Sequence, residues 1–201
     1  MKILKTINSD IEAFNAGSSV CIGVFDGIHL GHQELIKRTI GYANENKISS
    51  VLFTFEPSPS DYFSKGKSQS RLTTLDEKYD YLRSGPIDFI YCPPFDQEME
   101  NLSPLKFINQ HLIRKLNAKH VVVGEDFHFA KDRSGSVETL MELGLEYGFT
   151  VDPVEFIRQK DKKISSTNIR QSLMDQDIQN ANQMLGRHYS VLGEVIKGNQ
   201  I

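Results

Sequence analysis

Five short apolar runs, each separated from the next by a stretch of helical periodicity, constrain this chain more than any other feature of its sequence. The runs lie at residues 19–25, 50–55, 87–91, 120–123 and 150–156. Between the first two, Leu35, Ile36, Ile40 and Ala43 recur at helical spacing. Thr74-Leu75-Asp76-Glu77 has the form of a capping box, and Ser103-Pro104 that of a helix start with proline where no amide is missed. Leu105, Ile108, Leu112 and Leu116 form the predicted buried stripe of that helix. A helix is predicted over 137–147, and Ser166 and Asp177 are predicted to cap two more. Strands separated by helices pair in parallel, so the predicted fold is α/β, a doubly wound parallel sheet. Ligands of such sheets bind beyond the carboxyl ends of the strands, near the point where strand order reverses. The turns after the first, second and fourth runs are therefore where chemistry is expected.

With 39% hydrophobic residues in 201, the chain can bury a full core. A net charge of −3 with mixed signs gives no basic footprint for nucleic acid, which is not an expected partner. No run approaches the roughly 18 apolar residues of a membrane span, and no membrane partner is expected. Cys21 and Cys92 sit inside apolar runs and are expected to be buried thiols. With no disulfide or zinc spacing, they fit a reducing cytoplasm.

After the first run comes Gly23-Val24-Phe25-Asp26-Gly27-Ile28-His29-Leu30-Gly31-His32. Gly27 and Gly31 allow positive φ or close approach of a flat ligand. The free amides of the following helix point at whatever binds there, and His29 and His32, three apart, can donate to phosphate oxygens. A metal site made of Asp26, His29 and His32 is the rival reading; no metal is assigned, because no further His or Cys cluster completes it. After the second run, Phe55-Glu56-Pro57-Ser58 forms an extended turn in which Phe55 could line a flat ligand. After the fourth, Gly124 opens a charged loop carrying Asp126, Phe127, His128 and Phe129, whose rings could cover an isoalloxazine or adenine or fold back on the core. Ser165, Ser166 and Thr167 precede a late helix with Arg170 in its first turn, a second phosphate cradle.

Taken in order, these segments resemble the FMN adenylyltransferase module of bacterial bifunctional riboflavin kinase/FAD synthetases. The run from Gly23 to His32, Phe55-Glu56-Pro57, Arg71-Leu72-Thr73-Thr74, Val123-Gly124 with Asp126-Phe127, and Ser165-Ser166-Thr167 with Ile169-Arg170 all match. The His-x-Gly-His element alone is shared by many nucleotidyltransferases, but the ordered set is far more specific. Ser58, His128, Ala130 and Asp132 depart from the residues usual in that family, all in loops expected to border the flavin.

The resemblance implies a Rossmann-like nucleotidyltransferase fold. It implies ATP and FMN as substrates, FAD and pyrophosphate as products, and Mg2+ bound through the ATP phosphates. By it, His29 and His32 contact the phosphates, and Ser166, Thr167 and Arg170 hold the outgoing pyrophosphate. Gly31 lets adenine approach, and Asp126 organises the site. Gly23, Phe25, Asp26, Gly27, Gly124 and Ser165 complete the expected ATP surface; Phe55, Pro57, Ser58, Asp126, Phe127, His128 and Phe129 form the expected FMN surface. Leu185-Gly186-Arg187 and Tyr189-Ser190-Val191 resemble the join to the kinase module. The expected division is an adenylyltransferase domain over 1–188 and the start of a truncated kinase module over 189–201, with one strand at 189–196. Riboflavin phosphorylation is not expected of this chain. Two rivals stand beside this reading: a nucleotidyltransferase with another phosphorylated acceptor, and a catalytically weak flavin- or nucleotide-binding protein.

Overall fold

The computed structural model describes residues 2–4, 14–65, 70–159 and 162–194. Its centre is a parallel sheet of six strands: β1 (Lys2–Leu4), β2 (Ser18–Ile22), β3 (Ser49–Phe53), β4 (Phe89–Tyr91), β5 (Ala118–Gly124) and β6 (Thr150–Val154). Their order across the sheet is β1-β4-β3-β2-β5-β6. The chain winds outward from β2 through β3 to β4, then restarts beside β2 at β5 and winds the other way. The reversal lies between β2 and β5, the place where sheets of this kind bind their ligands.

Alternation along the central strands divides the core between two faces. Val20, Ile22, Val51, Phe53, Val121 and Val123 point to one side and pack on Phe107, Ile108, Leu112 and Leu140. Cys21, Leu52, Ile90 and Val122 point to the other and pack on Leu35, Ile36 and Leu82. Both thiols are buried, as expected from their apolar runs, and neither is in a disulfide. Helices cover both faces: α1 (Leu30–Asn46), α2 (Pro59–Phe63), α3 (Leu75–Arg83), α4 (Gln97–Glu100), α5 (Pro104–Phe107) and α6 (Val137–Tyr147). Helices α7 (Ser166–Met174) and α8 (Ile178–Leu185) form a satellite cluster with Leu72 and Ile164.

Several expectations hold at the level of single caps. The Thr74 capping box of α3 is complete, and Asp177 caps α8. Others are corrected. The chain leaves β2 at Ile22, so Phe25 lies in the turn, and β6 stops at Val154. Strand β4 starts at Phe89, after Asp88 has turned its carboxylate to cap Ser50 N–H and Oγ. The helix after Ser103 is α for one turn and then winds as a π-helix from Ile108 to Lys115. That wider winding keeps Ile108, Leu112 and Leu116 on the core, while Leu105 is 46% exposed. The cap of α7 is Ser165, whose hydroxyl accepts from Asn168 N–H; Ser166 is the first helical residue. Strand β1 and the short hairpin β7 (Arg158–Gln159) and β8 (Lys162–Lys163) were not expected. Residues 189–194 are irregular where a strand was expected, and 195–196 lie outside the described residues.

Candidate active site

The turn between β2 and α1 is held in an unfavourable backbone shape. Phe25 has φ 54°, Gly27 φ 80° and Ile28 φ 39°. Positive φ costs the two non-glycine residues about 1–3 kcal/mol each, so the surroundings must over-determine the turn. Phe25 and Ile28 are fully buried, which resists their turning outward. The Val24 carbonyl accepts from Lys78 Nζ at 2.7 Å and from the Thr54 hydroxyl at 3.1 Å. Arg187 donates to the Gly27 carbonyl at 2.7 Å and to the Ile28 carbonyl at 3.1 Å. At Gly27 itself a Cβ would lie 2.8 Å from Leu72 Cδ1, so close approach of the 72–73 segment also requires glycine.

Asp26 is the hub of this clasp. Its Oδ1 accepts from Leu72 N–H at 2.9 Å and Thr73 N–H at 3.1 Å, and its Oδ2 accepts from Arg170 at 2.7 Å. Its carbonyl accepts from the Ser166 hydroxyl at 2.8 Å. Asp26 therefore ties the start of α7 to the start of α1. It faces Arg170 and backbone amides, and among the described residues no group of His, Cys, Asp or Glu forms a metal cluster.

His29 caps α1: its Nδ1 accepts from His32 N–H at 3.3 Å. The neutral ring then carries its proton on Nε2. The two imidazoles stack with centroids 3.7 Å apart, and Phe25 lies 5.1 Å from the His32 ring. A Cβ at Gly31 would stand 3.2 Å from the His29 ring, so glycine there leaves room for the stack. Burial lowers His29 to about 4 and His32 well below its ordinary value, with His29 and Lys78 adding to the effect on His32. Both rings are neutral at physiological pH in the free protein.

A cavity of about 580 Å³ opens beside this pair. Of the expected site residues it is lined by Asp26, His32, Phe55, Ser58, Ser166 and Arg170. His29 stacks directly beneath, and Gly23, Phe25, Gly27 and Gly31 shape the turn. Phe55 is part of the core as well, in contact with Phe53 and Phe95. Thr167 is exposed and touches Arg170. Pro57 is exposed beside the cavity mouth residues Glu56 and Ser58.

The loop after β5 is disposed differently from expectation. Phe129 turns into the core, 7% exposed and 5.2 Å from the Phe107 ring, and bridges Gly135. A Cβ at Gly135 would meet that ring at 2.6 Å. Its ring is thus unavailable to a ligand, because an inward Phe replaces the apolar surface that the loop lacks. Phe127 stacks on it, half-buried, and His128 is exposed with Nδ1 against the Asp126 carbonyl. Asp126, with its side chain 62% exposed, pairs with Lys163 of β8 at 2.8 Å. Gly124 starts this loop; none of these residues lines the 580 Å³ cavity.

Arg71, Glu56 and Lys78 also line the cavity, each without a role predicted from the sequence. Arg71 stood only inside a matched motif, yet it lines the cavity, forked onto the Glu56 carboxylate at 2.9 and 3.1 Å and paired with Asp61. Glu56 stands in the sequence as part of the extended turn after the second run. Lys78 is buried at the cavity wall; the available signal was a lysine inside the apolar stripe of Leu75, Tyr79 and Leu82.

Two helix N-termini thus converge on one crevice at the reversal point of a doubly wound sheet, the plan of nucleotide-binding α/β proteins. Within that class the chain belongs to the FAD synthetase family, whose model matches residues 11–168. It is 42% identical over 202 residues to a Buchnera aphidicola protein (from Schizaphis graminum) described as a bifunctional riboflavin kinase/FMN adenylyltransferase. The Escherichia coli K12 protein of the same description is 32% identical over 201 residues. Each alignment spans all of this chain and 64% of the relative. Among solved structures, a Streptococcus pneumoniae chain described as a macrolide-efflux protein superposes with a TM-score of 0.76 at 29% identity, covering 91% of this chain and 61% of that one. A Francisella tularensis pantoate-β-alanine ligase superposes with a TM-score of 0.57 at 18% identity, over 90% and 77% of the two chains, and shares the fold.

Proposed function

We propose that this chain transfers the AMP unit of ATP to the phosphate of FMN, forming FAD and releasing pyrophosphate. The observation that carries the reading is a stacked, neutral histidine pair at one helix start sharing its crevice with Ser166 and Arg170 at another, in a chain of this family. An FMN phosphate oxygen attacks the α-phosphorus of ATP. The bond from that phosphorus to the bridging oxygen of the leaving diphosphate breaks. No side chain acts as nucleophile, and catalysis is positioning and charge stabilisation. His29 Nε2–H and the His32 ring donate to oxygens on which charge builds. Arg170, oriented by Asp26, and Ser166 and Thr167 receive the leaving pyrophosphate. Magnesium would be held through the ATP phosphates and would offset their negative charge.

Phe55, Ser58 and the Phe127–His128 edge of the β5 loop are assigned to the flavin side, with Asp126 fixing that loop through Lys163. Gly31 and Gly124 flank the adenine, and residues 1–188 constitute the transferase unit. Two buried thiols outside any disulfide suit a reducing cytoplasm. Among the described residues no helix is long and apolar enough to cross a membrane.

Incubating the protein with FMN and magnesium ATP should yield FAD by chromatography, and FAD with pyrophosphate should yield ATP and FMN. Failure in both directions would sink the enzyme reading. FMN binding without turnover would favour the weak-binder alternative.

A further inference from the structure

Lys78 is the only buried lysine or arginine among the described residues, at 5% exposure. It lines the same cavity as His32, Ser166 and Arg170. Withdrawing an ammonium from water costs several kcal/mol unless partners replace its hydration. Here the replacement is incomplete. One of its three N–H groups donates to the Val24 carbonyl at 2.7 Å. Asp26 and Glu56 lie close enough to favour its charge, yet Asp26 is paired with Arg170 and Glu56 with Arg71. An apolar side chain of equal length would fill this stripe position of α3 at lower cost. A desolvated cation with spare donors at a cavity wall is what an incoming anion would complete.

We propose that Lys78 is a phosphate-binding residue of this cavity, donating to phosphate oxygens of the nucleotide or of the acceptor beside His32. The inference rests on the adenylyl-transfer reading above. It assigns Lys78 a contact with the reacting partners in addition to its hold on the Val24 carbonyl.

The test is Lys78→Met, titrated calorimetrically with magnesium pyrophosphate alone and with FMN alone. Losing a charged hydrogen bond to the ligand predicts affinity lower by about tenfold or more for at least one of them. Tm should change little, because the loss of the bond to the Val24 carbonyl, which keeps the Thr54 hydroxyl, is offset by removal of a buried charge. A loss confined to pyrophosphate assigns Lys78 to the nucleotide side, and one confined to FMN assigns it to the acceptor side. Unchanged affinity for both overturns the proposal, whatever Tm does. If the variant is unstable or unfolded, the unaltered protein decides. Its Lys78 side-chain methylene signal, followed by carbon-13 NMR, should move on adding pyrophosphate or FMN, and a signal that stays put with both overturns the proposal. If the unaltered protein binds neither ligand and forms no FAD, the reading of the site itself falls. If it binds both, and Lys78→Met does so equally, only the role of Lys78 falls.

Discussion

His32 and Asp26 divide the labour of the turn between chemistry and architecture. His32 has a ring nitrogen, Nδ1, shut off from solvent with no hydrogen-bond partner among the described residues. Such an atom costs about 1–3 kcal/mol, and natural proteins tolerate that cost chiefly at functional sites. His32→Ala should lower kcat for FAD formation by about 10²-fold, the scale of losing one transition-state donor. FMN affinity should change little, which equilibrium titration checks; near-normal turnover would make His32 a packing residue. Asp26, by contrast, has both carboxylate oxygens engaged in holding other elements. Asp26→Asn removes the charge and replaces one carboxylate oxygen by an NH2 donor, which then faces either the two amides or the guanidinium. It should lower unfolding free energy by about 2–4 kcal/mol, read from urea denaturation. It should also weaken pyrophosphate binding, because Arg170 loses the group that orients it.

At the scale of elements, helix α3 matters more than its length suggests. It carries Lys78 to the cavity, and its Glu77 accepts from Thr74 N–H at 2.7 Å and from Leu192 N–H at 3.0 Å. Thr74→Ala removes the cap hydroxyl that receives Glu77 N–H. The expected loss is about 1 kcal/mol, visible as a lower urea midpoint with unchanged slope. The π-helix over Ile108–Lys115 is the element that local propensity hid. His111 sits in it, 5% exposed, with Nδ1 2.8 Å from the Tyr91 hydroxyl. The spacing of Ile108, Leu112 and Leu116 reads as an ordinary stripe in the sequence. The wider winding coincides with His111 meeting Tyr91 of β4 and the Phe53 and Phe107 rings.

Across the whole molecule, burial sets the response to acid. His29 and His111 are each lowered from 6.5 to about 4, and His32 and His120 are lowered as well, all chiefly by desolvation. In the unfolded chain these rings bind protons as pH falls through about 6.5, whereas in the folded protein His29 and His111 bind them only near 4, and His32 and His120 only at a pH below their ordinary value. Stability is therefore fully present above about pH 6.5 and declines as pH falls toward about 4. Glu77 and Glu138, whose carboxylates are lowered by hydrogen bonds to Thr74 and Ser136, extend the decline in the same direction. Urea midpoints measured from pH 7.5 to 4.5 should fall steadily below pH 6.5; equal midpoints at pH 7 and pH 5 would refute this account.

What could be read from the sequence alone was what is periodic or contiguous. Apolar runs at strand length fixed five of the six sheet strands to within a few residues, and capping residues marked α3 and α8 because a cap acts within three residues of itself. The glycines and histidines from Gly23 to His32 announced the turn for the same reason. Edge strand β1 was too short to announce itself, and the direction of Phe129 depends on Phe107 and Gly135 rather than on its neighbours in the loop. Only the tertiary structure decided that Asp26 grips Arg170 across 144 residues of sequence and that Lys78 reaches the Val24 carbonyl across 54. Neither pairing leaves a local pattern. Each exists because the sheet brings distant turns to one edge, where a charge withdrawn from water must find its partners in whatever segments have been folded beside it.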